Sequence, residues 1–202
     1  MKIAEKPTKR ADVSPRERIL DAARELFYSR GIRNVGVDEI AAAAQTNKMT
    51  LYRHFESKDL LVAEYLRTLA ARGNAVADEA ARSHPGDACA QIHAWISRLG
   101  ADLANADRRG CPMANAAVEI PEKNHPARAV IEEYKTHQRE WLVGLCRDAG
   151  FVEPERLADE IFLLLEGACI NIQSVGRCGP GSRFAEMVYT LMKSRPRHAD
   201  HK

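Results

Sequence analysis

The sequence predicts an all-α protein, and three observations carry that expectation. No stretch of useful length alternates apolar and polar residues with period two, as a half-buried strand would. Apolar residues recur instead at i, i+3 and i+4 in successive segments, the spacing that lines one helical face. Each of those segments is bounded by a capping side chain at its start or by proline and glycine at its end.

Taken in order, Ser14-Pro15-Arg16-Glu17 supplies an N-cap, a proline at the first helical position and a capping-box glutamate. Ile19, Leu20, Ala23, Leu26 and Phe27 then line a face that Gly31 ends. A second, short helix starts at Val37-Asp38-Glu39-Ile40-Ala41, with its acids where the helix dipole favours them. Gln45-Thr46 interrupts the alanine run, Asn47 can cap a third helix, and Leu51 with Phe55 gives that helix one buried edge. Ser57 caps a long segment to about Arg82, which His84-Pro85-Gly86 breaks. A helix over Asp87 to Asn105 carries Ile92, Trp95, Ile96, Leu99 and Leu103, and Gly110-Cys111-Pro112 marks a restart. Further helices are expected from about Pro126 to Ala149, Pro154 to Val175 and Ser182 to Lys193, separated by Gly150 and by Gly179-Pro180-Gly181.

Composition narrows the function classes. The chain has 202 residues, 45% of them hydrophobic, enough for one ordinary core and a small second domain. No apolar run approaches the roughly 20 residues that span a bilayer, and MKIAEKPTKR lacks the apolar centre of a signal peptide, so a cytoplasmic protein without a membrane partner is expected. Five cysteines without a CxxC pair fit neither a disulfide framework nor a zinc site and are expected as free thiols. Net charge is +2, with 12 Lys+Arg against 8 Asp+Glu in residues 1–58, leaving 18 against 20 in the rest. That offset says little about a polyanion partner, because binding depends on where the cations sit.

Two short helices joined by a tight turn, the second polar on its outer face, have the layout of a helix-turn-helix DNA reader. Lys48, Met49, Thr50 and Arg53 then face the major groove, where Lys and Arg reach guanine acceptors and the Thr and Met carbons touch a thymine methyl. Tyr52, His54 and Lys58 are placed to hold phosphates. A helical hairpin with Tyr52 packed into a core satisfies the same pattern. Lys2, Lys6, Lys9 and Arg10 in residues 1–13 form a basic arm that either follows DNA or stays a solvated tail.

Ile19-Leu20-Asp21-Ala22-Ala23 with Leu26-Phe27 and Gly31, then Ile40-Ala41, Lys48, Thr50-Leu51-Tyr52, His54-Phe55, Ser57-Lys58 and Leu60-Leu61 together resemble the tetracycline-repressor (TetR) family over residues 14–65. The resemblance implies a three-helix DNA-binding domain, 14–57, then a helical effector-binding and dimerisation domain, 58–194, with a tail at 195–202. It assigns base contacts to Lys48, Met49, Thr50 and Arg53 and phosphate contacts to Tyr52, His54 and Lys58. The segment Arg109 to Glu119 is similar to one subgroup of the family. Two positions depart from the pattern: Gly36, where the family usually caps the second helix with Ser or Thr, and Gln45, where glycine commonly occupies the turn. A non-glycine residue held at positive φ there costs on the order of 1 kcal/mol.

The resemblance also implies a small-molecule pocket, for which the lining candidates are Trp95, Leu99, Cys111, Met113, Asn115, Tyr134, Trp141, Phe162, Glu166 and Cys169, mostly apolar with a few polar anchors. Each aromatic among them would equally serve as core packing. The helix through Ile161 to Ile170 is apolar nearly all round, which one domain of this size accommodates if one face packs inward and the other meets a second copy. Leu163, Leu164, Gly167, Ala168 and Ile170, with Met187 and Leu191 of the last helix, are the expected homodimer contacts. No phosphate loop, nucleophile elbow or metal-spaced histidine pair argues for an enzyme, and no cofactor is expected. The expected function is therefore a transcriptional regulator, most readily a repressor, binding a near-palindromic double-stranded operator and released by an effector. Two rivals remain: a thiol-based redox or electrophile-sensing protein centred on Cys111, and a constitutive DNA-binding protein without effector. Cys111 precedes a helix start with Arg108 and Arg109 upstream, a setting that favours reaction with electrophiles, though a small residue packed beside Pro112 satisfies the same pattern.

Overall fold

The computed structural model describes residues 13–105 and 109–198, so the expected basic arm and Arg108 lie outside the described residues. Those residues form nine α-helices, one 3-10 turn and no strand beyond an isolated bridge. They divide into two compact units, the first ending at Tyr65 and the second beginning at Leu66.

In the first unit α1 (Pro15–Arg30) starts as its sequence dictates. Ser14 Oγ accepts from the Glu17 N–H, and the Glu17 carboxylate accepts in return from the Ser14 N–H. Gly31, at φ 85°, ends the helix. Next come α2 (Val37–Ala43) and α3 (Lys48–His54), the latter capped by Asn47, whose Oδ1 accepts from the Thr50 N–H at 2.9 Å. The core joins Ile19, Ala23 and Phe27 of α1 to Ile40, Leu51 and Phe55. The helix α4 (Lys58–Ser83) opens with Ser57 Oγ accepting from the Leu60 N–H. Its first turns belong to this unit because Leu61, Val62 and Tyr65 are buried there, Tyr65 with its ring 5.5 Å from Phe27. The division between the units falls after Tyr65, within the span of α4.

The second unit continues with α5 (Ala88–Ala104), α6 (Pro112–Glu119), α7 (Pro126–Asp148), α8 (Pro154–Val175) and α9 (Phe184–Ser194). Helix α8 is packed against α7, α9 and the 3-10 turn. Trp95 and Trp141 meet edge to face at 5.3 Å in a core that also holds Ile92, Ile96, Leu142, Phe151, Leu157, Ile161, Phe184 and Val188.

Two expectations are corrected. The last helix, expected from Ser182, is preceded by the 3-10 turn Pro180–Arg183 and begins at Phe184. Gly181 sits where an added Cβ would lie 2.9 Å from the Ala168 carbonyl, and its N–H donates to Asn171 Oδ1, so the chain winds tightly here before it can enter an α-helix. The tail is built in as far as His198. Val152 N–H donates to the Pro196 carbonyl, His198 N–H donates to that of Gly150, and the Arg195 guanidinium donates to Glu160.

Candidate functional site

The recognition surface begins with which side of α3 is fixed. Leu51 and Phe55 are buried, and α3 packs on α2, whose Ile40 and Ala41 are buried as well, so the side of α3 opposite Leu51 is exposed. Met49 is 85% exposed, and Tyr52 and Arg53 follow at i+3 and i+4 on the same open face. Tyr52 is thus not a core residue of a hairpin. Lys48 is exposed and pairs with Asp38 of α2 at 3.1 Å, a solvent-screened contact that leaves two ammonium donors available. Thr50 is half-buried.

The expected phosphate holders differ from one another. Tyr52 is 41% exposed. His54 is half-buried, with Nε2 inaccessible and without a partner among the described residues. Lys58 donates from Nζ to the Ile32 carbonyl at 2.7 Å and so also ties α4 to the loop after α1.

The turn before α3 is closed by backbone bonds from Gln45 N–H to Ala42 and from Thr46 N–H to Ala41. Gln45 takes φ 53°, the one non-glycine residue at positive φ among the described residues. The positive φ expected of a glutamine in a glycine position is therefore present. Gly36 occupies the N-cap of α2 without a side-chain cap, as its residue type requires.

In the second unit the candidate pocket residues divide into two groups. Trp95, Cys169 and Met113 are buried, while Leu99, Cys111 and Trp141 are partly buried at the edge of the main core; these pack as core residues. Asn115 is structural as well. Its Nδ2 donates to the Arg109 carbonyl at 2.8 Å and its Oδ1 accepts from Gln173 Nε2, which also donates to Arg109. Gly110, at φ 67°, lies so close to α8 that an added Cβ would stand 2.9 Å from the Cys169 carbonyl. This clamp seats Cys111 at the N-cap of α6.

The rest converge on a lysine that reasoning from sequence passed over. Lys135 Nζ lies 2.5 Å from Glu166 Oε1, 3.5 Å from Cys111 Sγ and 5.3 Å from the centre of the Phe162 ring. Burial alone would lower the Lys135 pKa, but the facing Cys111 and Glu166 outweigh it and hold it above the ordinary lysine value. Burial raises that of Tyr134. The signal was available: Ala127, Val130, Ile131, Tyr134, Lys135, Gln138, Trp141 and Leu142 keep one helical stripe, so Lys135 and Gln138 are polar residues on an apolar face.

On α8 the inner face is Ile161, Leu165, Ala168, Cys169 and Ile172. The outer face leaves Leu163 69% and Ile170 56% exposed, with Gly167 between them and nothing within 4 Å of its missing Cβ. Ala168, expected beside Gly167 on the dimer face, is instead buried in the chain's own core, since one residue turns a helix by about 100°. Leu164 is also partly buried against that core, as is Leu191, whereas Met187 of α9 is exposed.

Residues 19–65 match the family described as bacterial regulatory proteins, tetR family. A 50-residue stretch is 46% identical to an uncharacterized HTH-type transcriptional regulator of Mycobacterium tuberculosis, covering 25% of either chain. Across 190 residues the chain is 23% identical to the HTH-type transcriptional repressor DhaR of Mycobacterium sp. (strain GP1), covering 88% of this chain and 91% of that one. A solved TetR-family transcriptional regulator from Streptomyces coelicolor superposes with a TM-score of 0.79 at 27% identity, over 89% of this chain and 92% of the other.

Proposed function

We propose that this chain, which belongs to the tetR family of helix-turn-helix transcriptional regulators, works as a homodimeric repressor that leaves a near-palindromic operator when a small molecule occupies its helical unit. The observation that carries the reading is the exposed Met49, Tyr52 and Arg53 face on a helix seated by Leu51 and Phe55. That face has the size and polarity to enter a major groove. Arg53 suits guanine and Met49 a thymine methyl; Lys48 contributes a base contact or its share of phosphate binding beside Asp38. Tyr52, His54 and Lys58 fix register on the backbone.

Two copies supply the two α3 helices that a palindrome needs. The outward stripe of Leu163, Gly167 and Ile170, with Met187, supports pairing through α8 and α9. Effector control requires a ligand with different affinity for two states of the protein. Tyr134 and its neighbours support such a site, because Tyr134 presses on α4, the helix that continues into the DNA-binding unit.

The experiment is selection of bound duplexes from a random pool, followed by affinity measurements on single-base variants of the enriched site. The expected result is a near-palindrome with half-sites about 10 base pairs, or a multiple of that, apart. Arg53→Ala should lose about 1–3 kcal/mol at particular base pairs only. Enrichment of no sequence, with binding that tracks charge alone, would overturn the reading.

A further inference from the structure

The cluster around Lys135 contains a nucleophile, the half-buried Cys111 at the edge of the second unit's core, that DNA binding does not use. Cys111 is half-buried at the N-cap of α6, held there by the Gly110 approach to α8 and the Asn115–Gln173 clamp on Arg109. The Lys135 ammonium stands within hydrogen-bond distance of its sulfur and is itself anchored by Glu166. The Phe162 and Tyr134 rings flank that ammonium at 5.3 and 6.0 Å. One turn further along α7, Gln138 Oε1 is buried with no partner among the described residues, an unused polar group on the same stripe. A sulfur nucleophile, a fixed cation and two aromatic walls are what conjugate addition to an unsaturated carbonyl compound needs.

We infer that the effector site is a covalent one, in which Cys111 adds to an α,β-unsaturated ketone or quinone whose carbonyl oxygen is held by Lys135. The thiol proton passes to solvent. Cys111 Sγ forms a bond to the β-carbon, the alkene π electrons move to the carbonyl oxygen, and the resulting enolate lies against the Lys135 ammonium. A proton from solvent then reaches the α-carbon. The sum is addition of S–H across C=C, with no leaving group and no oxidant. The aromatic walls accept the apolar ring of the electrophile.

The remaining geometry connects the adduct to α4. Tyr134 lies over Gly73 so closely that an added Cβ would meet its hydroxyl at 2.1 Å. A group built onto Cys111 takes space in the cluster that Tyr134 shares, and a ring displaced toward Gly73 has nowhere to go without moving α4.

This inference rests on the regulator reading for its consequence but not for its chemistry, so two measurements separate them. The full-length protein is incubated with 2-cyclohexen-1-one, and with cyclohexanone as the saturated control, and adducts at the five cysteines are followed by mass spectrometry. Cys111 should react about tenfold or more faster than the exposed Cys178, and Lys135→Gln should remove that advantage while Lys135→Arg keeps part of it. Circular dichroism on each variant identifies any that fails to fold; if Lys135→Gln does, a second neutral variant, Lys135→Met, carries the same comparison, with Lys135→Arg as the variant that keeps a cation at the site. Equal rates at Cys111 and Cys178, or an unchanged Cys111 rate in folded Lys135→Gln, would overturn the inference. In the second measurement, the ratio of affinities for the selected duplex with and without 2-cyclohexen-1-one is compared in wild type and Cys111→Ser. A ratio of about tenfold that collapses toward one in Cys111→Ser and is absent with cyclohexanone supports covalent control. Release of both proteins alike by either ketone overturns it in favour of a reversible effector, and failure to select any duplex removes the regulator reading while the adduct rates still stand or fall by themselves.

Discussion

Replacing Gly73 by alanine sets two effects of known sign against each other. Glycine in the interior of a helix costs about 0.8–1 kcal/mol relative to alanine, so Gly73→Ala in the middle of α4 should stabilise the protein if nothing else touched the position. Something does. The new Cβ would lie 2.1 Å from the Tyr134 hydroxyl oxygen and 2.8 and 2.9 Å from two ring carbons, all inside contact distance. Overpacking of this kind costs about 1–3 kcal/mol, and turning the ring away gives up part of the roughly 1.5–3 kcal/mol that burying an aromatic side chain contributes. The clash wins, and a net loss of about 1–2 kcal/mol is expected. Gly144, in the interior of α7 with nothing within 4 Å of its missing Cβ, is the matched control, and Gly144→Ala should gain about 0.5–1 kcal/mol. Both tryptophans, Trp95 and Trp141, lie in the second unit, so urea denaturation followed by their fluorescence reports on the right part of the chain. In a double-mutant cycle, adding Tyr134→Ala should turn Gly73→Ala from destabilising to stabilising. If Gly73→Ala raises the midpoint as Gly144→Ala does, or if the Tyr134 substitution leaves its effect unchanged, the wedge between α7 and α4 is not a real constraint and the route from the Lys135 cluster to α4 fails with it.

Four further outcomes follow from single positions. Gln45→Gly should raise the stability of the first unit by up to about 1 kcal/mol by removing the cost of φ 53°, and an unchanged or lower denaturation midpoint would show that the turn carries no strain. Lys58→Ala should cost about 1–2 kcal/mol of stability through the lost bond to the Ile32 carbonyl and reduce the salt slope of DNA binding by about one, two readouts that separate its structural and phosphate-binding roles. Gly167→Ala meets open space within the chain, so it should stabilise an isolated protomer yet weaken a close-packed pair, and Gly167→Glu should abolish pairing; sedimentation giving a micromolar wild-type monomer would remove the dimer from the proposal. The Ser14 hydroxyl and backbone N–H, donating to Glu17, hold its carboxyl below the ordinary value of 4.5. A lowered carboxylate stabilises above that value and loses its contribution as pH falls through the folded one, so the midpoint difference between wild type and Glu17→Ala should be full at pH 7 and fade in acid; a difference that does not change with pH would refute this reading.

How much was legible in the sequence depends on the range over which each signal acts. Ser14 with Glu17, Asn47 with Thr50, Ser57 with Leu60 and Asp87 with Ala90 are contacts three residues apart, so the helix starts could be read from residue order alone. The strained Gln45 could be read too, since the resemblance set it against a glycine position. Phase around a helix is harder. The apolar α8 announced that two faces were covered, but whether Ala168 or Gly167 turned outward depended on how Ile161, Leu165 and Ile172 met the rest of the core, and the core took Ala168. The Lys135 cluster was harder still, because it joins residues 24 and 31 positions apart across three helices. Periodicity placed Lys135 on the inner stripe of α7, yet a search for a pocket among apolar and aromatic residues has no reason to stop at a lysine there. What makes it affordable is Glu166, one helix away: a half-buried ammonium without that carboxylate would carry an uncompensated desolvation cost. Its partner in turn has no other ion pair among the described residues. The two charges therefore specify each other, and together they fix a cation beside Cys111 that a core built for stability alone would have replaced with an apolar side chain at no loss.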